Sequence, residues 1–278
     1  MALLLAGSGA RLKIVTDKLR AHYDASSITN NAWVDISGNN LTASIFGGVT
    51  YNSANGGCLT MNGGYVQTPQ MPLSGSSTNP WTMGMWVAPS GFSGNLVSMS
   101  AVSPVGGWNM PPISSTGSKF YAKIWQGNSG ATNRLASSTY TTGTWYYVVL
   151  VFDQINATQR LYVNGVQVDS QTNVSYSSSG VDNFLYLGQA NPGADNTGTF
   201  YGYIGNFHYY NKALSADEIT QNYNALAPRY VTPVQGAGVV SLPVGNLVAY
   251  LDAQPAASNN GGGTWLDLSG NNNNVSWN

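Results

Sequence analysis

At 278 residues, 42% of them hydrophobic, the chain can fill the core of one large β domain or of two small domains. Only 8% of its residues are charged, with 10 basic against 11 acidic side chains and no basic run, so nothing equips it to neutralise phosphates, and nucleic acid and anionic membrane surfaces are not expected partners. The lone cysteine, Cys58, excludes an internal disulfide and reads as a small buried hydrophobe.

Residues 1–17 read as an N-terminal arm. Its apolar patch, Leu3 to Ala6, is preceded by no basic residue and is too short for a signal-peptide core. No window of the chain approaches the length of a membrane-spanning helix, so membrane insertion is not expected. Next comes Asp35-Ile-Ser37-Gly38-Asn39, whose residue types suit an Asx-type turn: the carboxylate bonds nearby backbone and the glycine takes positive φ. Runs rich in β-branched and aromatic residues then alternate with Gly, Asn and Ser clusters. Trp81 to Val87, Lys119 to Trp125, Trp145 to Asp153, Arg160 to Val168, Phe184 to Gly188 and Tyr201 to Tyr210 read as strands, a pattern that predicts an antiparallel sandwich. Within the fourth run, Asn164-Gly165 is a type I′ hairpin signal, because both turn residues tolerate positive φ. A short helix is predicted over Ser215 to Ala225, opened by a capping box of Ser215 and Glu218 and a staple of Leu214 on Ile219, and expected to pack over a sheet edge.

An internal repeat defines the domains. Leu19, Ala21, Asp24 and Ala25 recur as Leu247, Ala249, Asp252 and Ala253; Trp33, Asp35, Ser37, Gly38, Asn39 and Asn40 recur as Trp265, Asp267, Ser269, Gly270, Asn271 and Asn272. One complete unit is therefore expected over 18–228, a Pro- and Gly-containing linker over 229–245, and the start of a second, incomplete unit over 246–278.

Three segments carry a resemblance: Trp33-Val-Asp35-Ile-Ser37-Gly38-Asn39, Trp145 to Asp153 with the Leu161-Tyr-Val-Asn-Gly165 hairpin, and Gly202-Tyr-Ile-Gly205-Asn206-Phe207 leading into Ala213 to Ile219. In order and spacing they resemble the concanavalin A-like lectin/glucanase superfamily, specifically its laminin-G-like and pentraxin-like domains. The resemblance implies an all-β, two-sheet jelly roll with one short helix. Such domains often hold Ca²⁺ with loop oxygens, which makes Asp35 with Asn39, or Asp195 with Asn196, the candidate ligands. They recognise sugars with exposed aromatics beside amides, which makes Trp108, Trp125, Asn128, Tyr176 and Tyr201 the candidate carbohydrate contacts, while Trp81, Trp86 and Trp145 read as core.

Catalysis is not expected. Glycoside hydrolysis on this scaffold takes a pair of closely set carboxylates, and the single glutamate, Glu218, is explained by its capping box. His22 and His208 are the only histidines and read as strand residues; with one cysteine they exclude a structural zinc site. No phosphate-binding Gly-rich motif precedes a helix. The expected function is a non-enzymatic structural or adhesion protein of a virion, a capsid decoration, head fibre or tail fibre component. It would be located on the particle, partnered with other virion proteins in an oligomeric assembly and able to contact host glycans; large DNA viruses and marine phages carry many proteins resembling this one. The alternatives are a carbohydrate-binding module of a larger secreted or cell-surface protein, and, third, a polysaccharide hydrolase.

Overall fold

The computed structural model describes residues 13–71, 79–100, 110–124, 134–174, 184–189 and 198–231, with the backbone of 264–265 and 275–276. The chain divides into two compact units, 1–232 and 233–278.

In the first unit the strands are β1 (Leu19–Thr29), β2 (Ala32–Asp35), β3 (Ala43–Phe46), β4 (Val49–Asn52), β5 (Cys58–Asn62), β6 (Tyr65–Gln67), β7 (Trp81–Pro89), β8 (Ser93–Ser100) and β9 (Met110–Thr116). They continue as β10 (Lys119–Ala122), β11 (Leu135–Thr139), β12 (Tyr146–Asp153), β13 (Thr158–Val163), β14 (Val166–Thr172), β15 (Phe184–Leu187) and β16 (Tyr201–Tyr210), followed by helix α1 (Ala216–Tyr230). All pairings are antiparallel. One layer runs β11-β10-β9-β8-β15-β6-β3 and the other β14-β13-β12-β7-β16, with β5 and β4 on the flank of β16. The layers are joined because β1 pairs β16 along its first half and β2 along its second, with a break in register between Tyr23 and Ile28, while β2 pairs β3. This is the jelly-roll sandwich that the strand pattern predicts.

Between the layers lies one apolar core. Val97, Ile113, Phe120, Leu185 and Leu187 from the first layer meet Met83, Met85, Val148, Leu150, Phe152, Phe207 and Tyr209 from the second. Cys58 is buried and free, at the rim of this packing. The hairpin at Asn164-Gly165 forms as expected, with φ of 53° and 82° and Val163 opposite Val166.

A second apolar layer explains why β7 and β12 are buried on both faces. Helix α1 lies on the outer face of β7, β12, β13 and β16, enclosing Trp86, Tyr147, Val149, Val151, Tyr162 and Tyr210 with Leu214, Ile219 and Tyr230. The expectation that the helix covers a sheet edge is thus corrected: it covers a sheet face, because the strands beneath it are apolar on both sides. The capping box at Ser215 and Glu218 is present, and Leu214 and Ile219 are both buried there. The helix also outruns its expected end at Ala225 and reaches Tyr230, past the boundary expected at Pro228. Proline in the final turn removes one N–H, yet Val231 N–H still closes on the Ala227 carbonyl at 2.7 Å. Gly205 is where the helix end comes closest: a Cβ there would sit 2.3 Å from the Tyr230 hydroxyl.

In the second unit β17 (Thr264–Trp265) pairs β18 (Val275–Ser276), with Thr264 opposite Ser276 and Trp265 opposite Val275. The β2–β3 hairpin sets Ala32 opposite Ser44 and Trp33 opposite Ala43. At the positions that the sequence repeat equates, the two hairpins have the same register.

Candidate functional site

Among the described candidate residues, Asp35 and Asn39 share one turn. The Asp35 carboxylate accepts from His22 N–H (3.0 Å) and Ser37 N–H (2.9 Å) on one oxygen, and from Ser37 Oγ (2.9 Å) and Leu41 N–H (3.0 Å) on the other. These donors hold its acidity stronger than usual against the opposing effect of burial. The Asn39 amide donates to the Leu19 carbonyl and to Ser37 Oγ. Gly38 has a φ of 91°. This is the turn geometry, with both carboxylate oxygens engaged in closing β2 onto β1; among the described residues no group of three or more His, Cys, Asp or Glu side chains comes together. Asp35→Ala is therefore expected to cost about 2–3 kcal/mol, equally with calcium or with a chelator, because an ionised acceptor of several donors is lost. Denaturant titration in both conditions checks this; a calcium-dependent midpoint in the parent chain would show that a metal is held.

Tyr201 is 48% exposed at the start of β16, in the helix-bearing layer. Trp108, Trp125, Asn128, Tyr176, Asp195 and Asn196 lie outside the described residues. Trp81 and Trp86 are buried, as read, and Trp145 packs at the helix end against Tyr230, ring centroids 4.6 Å apart.

The strand registers gather a different set of side chains. Paired residues of an antiparallel sheet point to the same face. On the face of the first layer turned away from the core, Phe46 lies opposite Tyr65, Ser44 opposite Gln67, Gln67 opposite Tyr186 and Tyr186 opposite Ser98. Further along, Ser114 lies opposite Tyr121 and Tyr121 opposite Ala136. The Phe46 and Tyr65 rings stack at 4.9 Å, and the Tyr186 ring lies 5.9 Å from Tyr65. Phe46 is 41% exposed and Tyr65 partly so, whereas Tyr186 and Ser98 are buried at the centre of the face. At the far end the Arg134 guanidinium sits 3.3 Å over the Tyr121 ring. Aromatic rings, amides and hydroxyls in rows are the chemistry that stacks on and hydrogen-bonds to sugars. Sequence reading missed these residues because it searched loops for exposed aromatics. The signal was present in the alternation of Lys119, Tyr121 and Lys123 with Phe120, Ala122 and Ile124, which places one polar and one apolar face on a single strand.

A buried polar layer lies beneath α1. His22 of β1 is paired with His208 of β16, with ring centroids 4.5 Å apart. His208 is completely buried, and among the described residues neither of its ring nitrogens has a hydrogen-bond partner. Burial holds both imidazoles neutral, with His22 lowered to about 4 against the opposing pull of Asp24 and Asp35, and His208 well below its usual value. Nearby, Asn222 accepts from Val15 N–H (2.7 Å) and donates to the Tyr210 hydroxyl (3.0 Å). Arg229 at the helix end pairs with Asp24 of β1 and donates to the carbonyls of Asn55, Gly56 and Gly57. The layer ties helix to sheet, with His208 and Asn222 fully buried and His22 and Arg229 partly so, and it serves structure.

Several of the described carboxylates are likewise engaged. Glu218 accepts from Ser215 N–H and pairs with Lys212, which also pairs with Asp17; Asp153 accepts from Asn156; Asp169 accepts from the Ala136 and Ser170 amides.

Fold and face together define a jelly-roll domain with an aromatic and polar sheet face. A family model described as concanavalin A-like lectin/glucanases superfamily, of the laminin G group, matches residues 60–220, more than half of the chain. The chain belongs to this superfamily. Comparison with curated proteins finds no match by sequence. Among solved structures, the binding domain of botulinum neurotoxin serotype D/C aligns with a TM-score of 0.57 at 17% identity, over 76% of this chain and 53% of that one. The binding domain of Paraclostridial Mosquitocidal Protein 1 aligns with a TM-score of 0.56 at 17% identity, over 76% and 52%. Domain 4 of AbnA, a GH43 extracellular arabinanase from Geobacillus stearothermophilus, solved with arabinotriose, aligns with a TM-score of 0.52 at 23% identity, over 74% of this chain and 98% of that one. The chain thus spans about half the length of the two toxin domains and nearly all of the arabinanase domain. At these identities the likeness is one of fold.

Proposed function

We propose that the first unit is a non-catalytic glycan-binding module whose binding surface is the outer face of the β3-β6-β15-β8-β9-β10-β11 layer. The observation that carries the reading is the row of Phe46, Tyr65 and Gln67, in which two stacked rings, one exposed and one partly so, stand beside a partly exposed amide on one sheet face, backed by the buried Tyr186. The similar arabinanase domain, whose structure holds arabinotriose, supports a sugar ligand, and so does the likeness to the neurotoxin type C structure described with ganglioside molecules. The absence of catalysis is supported by the engagement of Glu218, Asp24, Asp35, Asp153 and Asp169 in caps, turns and ion pairs.

Its finer setting is a structural or adhesion protein of a virion, a decoration or fibre component assembled with other particle proteins. The repeated hairpin register supports a tandem array of such units, the usual way to build an elongated presenting surface. Peptides of this chain at a fixed ratio to the major capsid protein in purified particles would support this setting, and their absence would end it.

The module is tested by calorimetric titration of neutral oligosaccharides, arabinotriose among them, against the intact chain. Phe46→Ala and Tyr65→Ala should each weaken binding about ten-fold, the loss of one stacking contact. Phe46 is the safer variant, being largely exposed. Unchanged affinity in both would remove this face from consideration.

A further inference from the structure

We propose that the open end of the same face, at β9, β10 and β11, takes the acidic group of a carboxylated or sulfated saccharide. This rests on the glycan-binding reading and names the ligand class. Between Asp35 and Asp153 the chain contains no acidic residue, and its only basic residues there are Lys119, Lys123 and Arg134. Structure brings these cations together. Lys119 and Tyr121 alternate with buried Phe120 and Ala122 along β10 and so share its outer face; Lys123 follows directly, its N–H bonded to the Pro112 carbonyl (3.1 Å), and lies within electrostatic reach of Arg134, the residue before β11.

Like charges held close together repel, and among the described residues no ion pair to a carboxylate offsets this pair. Asp169, which reaches β11 from β14, is occupied by the Ala136 and Ser170 amides. Arg134 is exposed, and its guanidinium carbon lies 3.3 Å over the Tyr121 ring, a contact that restrains a fork able to bond a carboxylate or sulfate bidentately. Lys123 adds a second positive charge, and Ser114, opposite Tyr121, offers a hydroxyl to the sugar. Burial, and then the nearby charge of Arg134, lower the pKa of the Lys123 ammonium, an effect that a bound anion would reverse. By contrast Lys212 and Arg229 are consumed in ion pairs that hold the helix, and Arg160 pairs with Asp153.

The test is titration of the intact chain with oligogalacturonate and with its methyl ester, which share a backbone and differ only in free carboxylates, and with a sulfated heparin hexasaccharide. An acidic ligand should bind about ten-fold more tightly than the ester. That preference should fall as salt rises from about 50 to about 500 mM, and should vanish in Lys123→Ser/Arg134→Ser while ester binding persists. Whichever acid prevails, carboxylate or sulfate, identifies the group. Equal affinity for acid and ester, or an acid preference that survives the double variant, overturns the acidic site and leaves the glycan-binding reading standing. No binding of any of the three sugars overturns both. A preference for a single-stranded oligonucleotide over all sugars overturns the saccharide in favour of a general polyanion surface.

Discussion

Stability of the first unit is expected to fall steeply between about pH 6.5 and pH 4.5, well above the range in which its carboxylates titrate. The cause is the His22–His208 pair. Both imidazoles are held neutral in the fold, so their folded pKa values lie below the usual histidine value of about 6.5 in an unfolded chain. Below that value the unfolded state binds protons that the folded state refuses. Stability is therefore full above about pH 6.5 and is lost as pH drops, the loss from His22 levelling off only when His22 itself protonates at about 4. Each refused proton costs about 1.4 kcal/mol per pH unit, so the pair should cost nearly 3 kcal/mol per unit once both are excluded.

The groups facing the pair do not cancel this. Asp24 and Asp35 favour protonation of His22 and Arg229 opposes it, while His208 meets the uncharged Tyr147 and Tyr210 rings. The carboxylates of Asp24, Asp35 and Glu218 have lowered pKa values, so their contributions are present above about pH 4 and vanish only below it. Denaturant midpoints from pH 7.5 to 4.5 read the effect. His208→Leu should flatten the slope by about one proton and be the more stable chain at pH 5, since no described hydrogen bond is lost. A flat profile in the parent chain, or an unchanged slope in the variant, would show that the fold accommodates the charged rings.

The second large effect is expected at the helix end. Asp24→Ala should destabilise the unit by about 3 kcal/mol, because it leaves the Arg229 guanidinium partly buried without its counter-ion. Arg229→Met should cost as much, since the Arg229 side chain also satisfies the carbonyls of Asn55, Gly56 and Gly57. Asp24→Ala/Arg229→Met should cost clearly less than the two added together, as both remove one shared interaction. Chemical denaturation of the three variants measures this, and strict additivity would show that the residues act separately.

Much of this fold is legible along the chain because its signals are local. A capping box, an Asn-Gly turn and an Asp-x-Ser-Gly-Asn turn each depend on residues within a few positions of one another, and each forms where the sequence places it. The apolar runs at Trp81 and Trp145 likewise mark central strands, since nothing but a core on both sides accounts for such unbroken hydrophobicity. The repeat, too, needs no structure to be seen. What lay beyond the sequence is what depends on register and on which layer faces which. That His22 meets His208, that Asp24 meets Arg229, and that Phe46, Tyr65 and Tyr186 form one row follow from pairings between distant strands, and a shift of one residue would send each side chain to the opposite face. The same holds for the helix, whose capping residues announce where it begins, while only the packed sheet decides that it covers a face instead of an edge. Sequence determined the elements and their class; tertiary structure decided the surfaces, because a surface is made by residues that are neighbours only after the chain has folded.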